Sequence, residues 1–525
     1  MRNNILKHKT FCNPIVLPDY PNLQVMNTNR DHRGEPDPWK RGTKKFLSET
    51  DILYEAGIVS EVESKYSLDV YSPRDKRSIE NDVRATADPS VLYYDNHWYL
   101  YCSSGNIYSS ENFADWTVHH EETWLPVSFP MAPTVEAFKG KFYATANAAP
   151  LHVADTPTGP WRKVGEFTLP DGREMLCNDP MIFADGEELY LYWGLGMTIF
   201  GAKLNPEQPN QLITAPKQLI TFQPQNSWER FGASNEDWQK GYIEGAWMVK
   251  ANGEYYLIYS AAGTEYYSYC MGAYKSDAPL GEFTLQERNP VSQSRSGLIQ
   301  GGGHGCIVKG PKDTLWCFYT IPINYDNNME RRIGMDPAGI DEEGNLLALT
   351  GTDVPQWAPG VIEHPEKGNR TGAAALSIFK PCTVSSYRYG RNPLYAVDEA
   401  MHTWWEPVWE GEKQYLEVNL QGLYCISSVR IMWKDVGLNF GAGIFPGPYR
   451  YTLEALEDKK EDSWVMLVDA ADNEVDLAVD YREFGHCLTK RVRLTIIGAP
   501  EGVYPGLMNL TVFGESAYKN SAYEE

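Results

Sequence analysis

Thr86-Ala87-Asp88-Pro89-Ser90-Val91-Leu92-Tyr93-Tyr94 is the stretch that decides the fold of this chain. It sets one carboxylate, Asp88, directly in front of an apolar run. A polar turn, Asp95-Asn96-His97, separates that run from an aromatic one, Trp98-Tyr99-Leu100-Tyr101. The pattern predicts a β-hairpin with an acid at its start. Asp-Pro pairs are also common in loops, so the interpretation depends on whether the pattern recurs.

The same pattern recurs four more times downstream. The later copies begin at Ala132, Asp179, Glu244 and His304, and in each a polar turn separates two apolar runs. A four-stranded propeller blade takes about 40 to 50 residues, so the two longer intervals, before Glu244 and His304, would hold longer loops. Five copies predict a five-bladed β-propeller whose motif starts face one axis. Three carboxylates and one histidine would then meet there, while Ala132 adds no charge.

Composition supports an all-β fold and limits the partners. The chain has 525 residues, of which 13% are aromatic, and aromatic residues suit both pleated sheets and the apolar faces of sugars. The net charge of −23 would repel nucleic acid and anionic membranes. We find no apolar run long enough to span a bilayer. We therefore expect an oligosaccharide or polysaccharide partner, with no nucleic acid and no membrane.

The cellular location is predicted from the N-terminus and the cysteines. The first ten residues lack the apolar core of a signal peptide. The nine cysteines are scattered, and several lie in strand-like runs, which is typical of buried free thiols rather than of a disulfide framework. These features favour a cytoplasmic protein. The alternative is a secreted or periplasmic protein whose signal peptide was trimmed.

Changes in amino-acid composition along the chain predict its domain boundaries. After about residue 350 a Pro- and Gly-bearing stretch precedes short alternating strands, which indicate an antiparallel β-sandwich of the jelly-roll type. The predicted parts are an N-terminal arm packed on the propeller (1–80), the catalytic propeller (81–355), a linker (356–374), the sandwich (375–515) and a tail (516–525).

Three carboxylates in one pocket suit glycoside hydrolysis. That reaction needs a protonated acid on one side of the sugar and a carboxylate on the other, and unequal environments can separate their pKa values. The alternative is that Asp88 and Asp179 order turns and that Glu244 is a solvated loop acid. His304 lies between Gly303 and Gly305, and it is either a pocket residue or a packed one.

At this point the motifs resemble glycoside hydrolase family 43. The resemblance is carried by Ala87-Asp88-Pro89-Ser90-Val91, Ala132-Pro133-Thr134-Val135, Asp179-Pro180, Glu244-Gly245-Ala246-Trp247 and Gly303-His304-Gly305. It implies a five-bladed propeller and an inverting mechanism. By this resemblance Asp88 is the general base, Glu244 is the general acid and Asp179 tunes and orients that acid.

The resemblance also implies residues around the sugar. Arg331 or Arg332 would be the pocket arginine, and Trp247 and His304 would contact the substrate. His304 would lie on the axis, where family members often hold a calcium or a water cluster. No cofactor is then required for catalysis, and any calcium would be structural. The chain departs from the family pattern at Met131, where tryptophan is usual, and at Ala246, where proline is usual; both affect the sugar subsite.

Residues 375–515 resemble discoidin-like galactose-binding domains, also called coagulation factor type C domains. The carriers are Ala396-Val397-Asp398-Glu399, Thr403-Trp404-Trp405, Gln414 to Leu420 and Ile426 to Arg430. Such domains often bind sugar through loop aromatics and hold a structural calcium. The resemblance makes Trp404, Trp405 and Trp409 candidate loop anchors, with a structural role as the alternative.

Together these features predict an inverting glycosidase that releases a neutral sugar of the arabinofuranose or xylose type from plant-type glycans. An α-L-arabinofuranosidase or a β-xylosidase is the first expectation. A β-D-galactofuranosidase or a galactan-cleaving enzyme is the alternative within the family. A non-catalytic glycan-binding propeller is the alternative from another class, although a binding protein has no need of three carboxylates.

Overall fold

The computed structural model describes residues 9–18, 82–103, 106–119, 131–323, 330–456 and 463–517. Regular structure in these ranges consists of β-strands and a few single-turn 3-10 helices, which confirms the all-β prediction. Within the same ranges, no helix has the length and hydropathy needed to cross a membrane. Most of the predicted N-terminal arm and most of the predicted tail lie outside the described residues.

Each of the five motifs forms an antiparallel pair of strands at one edge of its own sheet. The polar turns predicted from sequence connect these strands, since Tyr94 pairs with His97 and Asp185 with Glu188. The motif strands are Ser90–Tyr94 and His97–Tyr101, Thr134–Phe138 and Lys141–Thr145, Met181–Asp185 and Glu188–Trp193, Ile243–Ala251 and Glu254–Ala261, and Gly303–Lys309 and Leu315–Pro322.

Further strands complete the five sheets, which we number 1 to 5 in chain order. Sheets 1, 2, 4 and 5 have four strands each, whereas sheet 3 has seven. The prediction of five blades therefore stays a prediction. The added strands are Ile107–Ser110 and Thr117–His119 (sheet 1); Leu151–Ala154 and Arg162–Gly165 (sheet 2); Phe167–Thr168, Glu174–Met175, Thr198–Asn205, Gln208–Leu212 and Lys217–Thr221 (sheet 3); Cys270–Ser276 and Thr284–Leu285 (sheet 4); and Arg331–Ile340 and Leu346–Ala348 (sheet 5).

The first strand of each sheet contacts the first strand of the next, and that of sheet 5 contacts that of sheet 1. Aromatic rings fill the junction between sheets 5 and 1. The ring centroids of Trp98 and Phe318 are 5.7 Å apart, and those of Phe113 and Phe318 are 4.9 Å apart. The strands thus form a closed, propeller-like arrangement, sealed by aromatic packing where its two ends meet.

The described N-terminal segment, residues 9–18, is sandwiched between sheet 5 and the C-terminal region. Thr10–Phe11 pairs with Gln356–Trp357, and the Phe11 ring packs against Phe113 with centroids 5.7 Å apart. Asn13 is fully buried, and its amide group bonds the backbone of Met335 in both directions, at 2.9 Å and 2.8 Å. The segment is therefore part of the folded body.

Residues after the predicted linker form a seven-stranded antiparallel sheet with its own hydrophobic core. Its long strands run Gln414–Val436, Val479–Gly498 and Tyr504–Ser516, and its short ones are Ala374–Ala375, Cys382–Val384, Arg450–Leu456 and Trp464–Ala470. All nine cysteines are free, as predicted, six of them buried.

Two of the three tryptophans considered as sugar anchors lie in hydrophobic cores instead. Trp405 is fully buried in the C-terminal core, and Trp404 is 3% exposed beneath the guanidinium of Arg391, 3.4 Å from its ring centroid. Trp409 is partly buried and packs against the same core as Trp405. The expectation that Trp404 and Trp405 are loop anchors is therefore wrong, because both rings are used to bury apolar surface.

Candidate active site

The five motif starts share an unusual backbone conformation. A left-handed φ costs an ordinary residue about 1 kcal/mol or more, and four of the five positions carry a residue other than glycine, which indicates a common requirement. The φ values are 53° at Asp88, 47° at Ala132, 43° at Asp179, 59° at Gly245 and 28° at His304. At each of these positions the chain turns sharply just before the first motif strand of the sheet, near the centre of the molecule.

A closed ring of hydrogen bonds joins these five residues. In four cases the backbone N–H at one of these positions donates to a polar side chain of the neighbouring sheet, with sheet 5 as the neighbour of sheet 1. That side chain lies near the end of the second motif strand or just after it. At the remaining position sheet 3 has Gly194, which lacks a side chain, and the carboxylate of Asp179 accepts instead. The donors and acceptors are Asp88 to Thr320 Oγ1 (3.0 Å), Ala132 to Ser103 Oγ (2.9 Å), Asp179 to Asn147 Oδ1, Gly245 to Asp179 Oδ2 (3.2 Å) and His304 to Ser260 Oγ (2.7 Å).

Glu244 does not occupy the position equivalent to Asp88 and Asp179, contrary to the sequence alignment of the motifs. Gly245 takes that position, and Glu244 precedes it. The pairing register with the second strand shifts between Glu244 and Trp247, which marks a β-bulge. A Cβ atom at Gly245 would lie 3.0 Å from the His304 ring, so both space and backbone favour glycine there. Oε1 of Glu244 lies 3.9 Å from Nδ1 of His304, and Glu244 itself is not among the residues that line the cavity around Asp88 and Asp179.

His304 lies at the centre of the three carboxylates. Its Nδ1 atom is 3.4 Å from Asp88 Oδ1, 3.8 Å from Asp179 Oδ2 and 3.9 Å from Glu244 Oε1. The three acids are buried, with relative exposures of 4 to 6%. The four motif residues that sequence analysis singled out are thus brought into one site.

Asp88 is surrounded by groups that favour its charged form. Burial acts to raise its pKa, but Arg331, His304 and the hydroxyl of Ser103 outweigh burial, so the pKa is lowered below the usual value. Arg331 Nη1 donates to Asp88 Oδ1 at 3.1 Å, and Ser103 Oγ donates to the other oxygen. Asp88 is therefore a carboxylate over the whole neutral range.

Glu244 and Asp179 are shifted the other way. Burial and then the nearby charge of Asp179 raise the pKa of Glu244 to about 8. Burial and the charge of Asp88 raise the pKa of Asp179 to about 7. Tyr269 donates its hydroxyl to Glu244 Oε1 at 2.5 Å, which offsets part of the shift. Glu244 therefore retains its proton at neutral pH while Asp88 does not.

The two candidate arginines have different surroundings. Arg331 Nη1 lies against Asp88 and also donates to Thr264 Oγ1 at 3.2 Å. Arg332 Nη1 donates to two backbone carbonyls, those of Arg84 at 3.0 Å and Arg331 at 2.9 Å. Alternation along a strand sends the two side chains to opposite faces, so Arg331 contacts the carboxylate site and Arg332 holds neighbouring backbone.

The other two predicted substrate contacts differ in position. Trp247 lines the same cavity as Asp88, Asp179 and His304, but it is only 8% exposed and its indole N–H donates to the carbonyl of Ile307 at 3.0 Å. Met131 is half-buried next to Ala132, and its carbonyl accepts the N–H of Asn147 at 2.9 Å. Met131 is not among the residues that line this cavity.

The donor set does not fit the predicted calcium well. Asp179, Glu244 and His304 offer ligand atoms within 4.8 Å of one another, and they are the group in the described residues with the closest match to a metal site. Calcium takes six to eight oxygen ligands, whereas this group supplies two oxygens and a nitrogen. No chemical step is therefore assigned to a metal.

Sequence reasoning missed four residues that support the site. Ser103 and Tyr269 donate to carboxylates, Asn147 accepts the backbone N–H of Asp179, and Thr264 accepts from Arg331. A signal for two of them was present, because Ser103 lies as far beyond Asp88 as Asn147 lies beyond Ala132. Pairing across the hairpin sets each opposite its motif start. Tyr269 and Thr264 come from the longer loop after Ala261, whose path has no periodic signal.

Comparisons with known proteins agree with this geometry. The profile of "Glycosyl hydrolases family 43" matches residues 81–346. The chain is 26% identical over 301 residues to "Beta-D-galactofuranosidase xynD" of Aspergillus niger (strain ATCC MYA-4892 / CBS 513.88 / FGSC A1513), covering 51% of this chain and 83% of that protein. It is 24% identical over 251 residues to "Alpha-L-arabinofuranosidase B" of Pyricularia oryzae (strain 70-15 / ATCC MYA-4617 / FGSC 8958), covering 41% of this chain and 47% of that protein.

Among solved structures, the chain is similar to one described as "Glycoside hydrolase", with 20% identity, a TM-score of 0.47, and coverage of 82% of this chain and 97% of that one. The family match extends over half of the chain and contains all three carboxylates, His304 and Arg331. On that match the chain belongs to glycosyl hydrolases family 43, and it is a glycoside hydrolase whose substrate is a glycan.

Proposed function

We propose that this protein is an inverting glycosidase that releases a neutral terminal sugar, with Asp88 as the base and Glu244 as the acid. The observation that carries the proposal is the contrast between these two carboxyl groups. Arg331 and Ser103 favour the charged form of Asp88, whereas burial and Asp179 favour the protonated form of Glu244. Unequal environments of this kind assign the two roles in a glycosidase.

In the proposed reaction Glu244 protonates the leaving oxygen while Asp88 removes a proton from the attacking water. Asp179 has two functions. Above its own pKa of about 7, its charge raises the pKa of Glu244, and its Oδ2 accepts the N–H of Gly245, the residue next to the acid, at 3.2 Å. Tyr269 holds one oxygen of Glu244, which leaves the other oxygen to carry the proton toward the leaving group.

The separation of the acid and base is compatible with inversion. Oxygens of Asp88 and Glu244 both lie within 4 Å of the same ring nitrogen of His304. They are therefore at most about 7.3 Å apart. This bound admits the lower part of the range of about 6.5 to 9.5 Å in inverting enzymes and also the roughly 5 to 5.5 Å of retaining enzymes, so the anomer of the first product decides between the two mechanisms.

We propose a terminal furanose, of the L-arabinose or D-galactose type, as the sugar released, with xylose as the alternative. Two curated relatives are named for furanosidase activity, one on galactofuranose and one on arabinofuranose. The pocket supports a neutral sugar, since Arg331, the cation in contact with Asp88, is already engaged by that carboxylate. Ala246 and Trp247, which line the cavity, are the positions at which the subsite would be adjusted.

A panel of p-nitrophenyl α-L-arabinofuranoside, β-D-galactofuranoside and β-D-xyloside tests the substrate. We expect nitrophenol release from at least one furanoside, and NMR of the first product should show the anomer opposite to that of the substrate. A product of retained configuration would rule out the inverting mechanism. Sugar binding without hydrolysis of any glycoside or natural arabinan would favour the glycan-binding alternative instead.

For the remaining structure we propose five blades and a discoidin-like C-terminal domain. The ring of five hydrogen-bonded motif starts supports five blades, with sheet 3 as a blade that carries extra strands. The antiparallel C-terminal sheet supports a discoidin-like domain, and the buried state of Trp404 and Trp405 favours a structural function for it. A structural calcium stays a prediction.

A further inference from the structure

The C-terminal sheet reaches the active site through the end of its longest strand, Gln414–Val436. Two consecutive side chains there, Lys434 and Asp435, point to different segments of the propeller. Lys434 binds the segment that carries Arg331, and Asp435 binds the segment that carries Asp88. The two segments therefore share one anchor outside the catalytic domain.

Lys434 forms a buried ion pair with Glu330. Its Nζ atom is 3.3 Å from both carboxylate oxygens, and the two side chains are 7% and 3% exposed. Glu330 directly precedes Arg331, whose guanidinium contacts Asp88 at 3.1 Å. Because a buried charge is costly without its partner, this pair fixes the position of the residue next to Arg331.

Asp435 holds the other segment through Arg84. Arg84 Nε donates to Asp435 Oδ2 at 2.5 Å, and Nη1 donates to Asp476 at 2.6 Å. Arg84 is 1% exposed and lies four residues before Asp88 in buried, extended chain. Between them the N–H of Thr86 donates to the carbonyl of Arg331 at 3.2 Å, which ties the two segments together.

A third contact reaches the loop beside the acid. His402 of the C-terminal region and Tyr267 share a hydrogen bond of 2.5 Å, and their rings pack with centroids 5.4 Å apart. Tyr267 lies between Thr264, which contacts Arg331, and Tyr269, which contacts Glu244. The segment that carries Asp88, the segment that carries Arg331 and the loop that carries Tyr269 thus each contact the C-terminal region.

We propose that Lys434 and Asp435 are positioning residues for the reaction, acting through Glu330 and Arg84 on the Asp88–Arg331 pair. The C-terminal domain is then part of the catalytic unit and not a separable sugar-binding module. This inference rests on the functions proposed above for Asp88 and Arg331.

The test is a double variant, Lys434→Met with Glu330→Gln, assayed on the glycoside that the wild type hydrolyses best. Neutralising both partners leaves neither charge of the Lys434–Glu330 pair unpaired, and Arg332, 3.8 Å from Glu330, keeps its bonds to two backbone carbonyls, so the protein should fold. We expect kcat to fall about 10- to 100-fold because a small displacement of a reacting group has that effect. KM should change little, and the acid limb of the pH profile should move upward as Arg331 loosens from Asp88. Lys434→Arg, which keeps the charge, should retain most of the activity.

Glu483→Gln is the matched control. It neutralises a carboxylate that accepts a hydrogen bond from Thr10 and that leads to none of the catalytic carboxylates, so kcat should stay at the wild-type value. A folded double variant with wild-type kcat and an unchanged acid limb would overturn the inference. The activity of Asp88→Asn distinguishes the two possible failures. If the proposed function is wrong, Asp88→Asn remains active. If only the positioning inference is wrong, Asp88→Asn is inactive.

Discussion

The hydroxyl of Tyr269 donates a 2.5 Å hydrogen bond to Oε1 of Glu244, and both side chains are buried. This bond stabilises the ionised form of the glutamate, whereas burial and Asp179 stabilise the protonated form. The pKa of Glu244, raised to about 8, is the balance of these opposing effects. Each of them can be removed separately, which gives predictions of opposite sign.

Tyr269→Phe should move the basic limb of the kcat/KM profile to higher pH. Without the hydroxyl, the ionised form of Glu244 loses a hydrogen bond, so its pKa rises further and the acid keeps its proton longer. A hydrogen bond to a charged group contributes roughly 1.5 to 3 kcal/mol, so the limb should shift by about one pH unit or more. Stopped assays across pH 5 to 10 measure it, and a shift downward would contradict the assignment of Glu244 as the acid.

Asp179→Asn should move the same limb to lower pH. The charge of Asp179 raises the pKa of Glu244, so its removal lets the acid lose its proton sooner. Asparagine tolerates the left-handed backbone at this position, and its amide oxygen can still accept the N–H of Gly245. The variant should therefore fold, which circular dichroism checks, and its pH profile should narrow from the basic side.

Asp88→Asn should reduce kcat by about 10²- to 10⁴-fold, the usual contribution of a general base. Asparagine suits the φ of 53°, so the melting temperature should change little. Asp95→Asn is the matched control, because Asp95 has a similar φ of 50° in an exposed turn of the same hairpin. Comparable activity in the two variants would exclude Asp88 as the base.

Glu244→Gln should affect substrates unequally. A p-nitrophenolate departs with little protonation, whereas the alkoxide of a sugar requires it, so the acid matters more for natural glycans. We expect a loss of kcat/KM on an arabino- or galacto-oligosaccharide that greatly exceeds the loss on the nitrophenyl glycoside. Glu254→Gln, in the next strand of the same sheet, should leave both unchanged. Equal losses on both substrates would argue against an acid function.

Asn13→Ala should lower the stability of the fold without changing any residue that contacts the three carboxylates. The side chain bonds the backbone of Met335 in both directions and donates to the carbonyl of Thr352 at 3.0 Å. Leaving these buried groups unpaired costs about 1 to 3 kcal/mol each, so denaturant unfolding should show a loss of several kcal/mol. Asn205→Ala removes an exposed turn bond and should cost far less. Equal effects would show that the N-terminal segment is dispensable.

The sequence predicted the fold class and the meeting of the motif residues because both follow from local patterns. Asp88 and Asp179 each precede a strand that crosses the centre, so their recurrence was enough to bring them together. The offset of Glu244 could not be predicted, since a β-bulge after it shifts the register by a residue. Tyr269 was missed because its contact with Glu244 depends on the path of a loop. Trp404 was misassigned because the sequence motif around it does not distinguish an exposed tryptophan from a buried one.

The hydrogen-bond ring has a consequence for how the enzyme becomes active. Its last bond joins Thr320 of sheet 5 to Asp88 at the start of sheet 1, across 232 residues of chain. Contacts this distant in sequence form late in folding, because a long loop must close first. During synthesis the base therefore lacks its final support until the fifth sheet has emerged from the ribosome. A nascent chain that carries only the first four sheets would contain all three carboxylates and still not hydrolyse glycans.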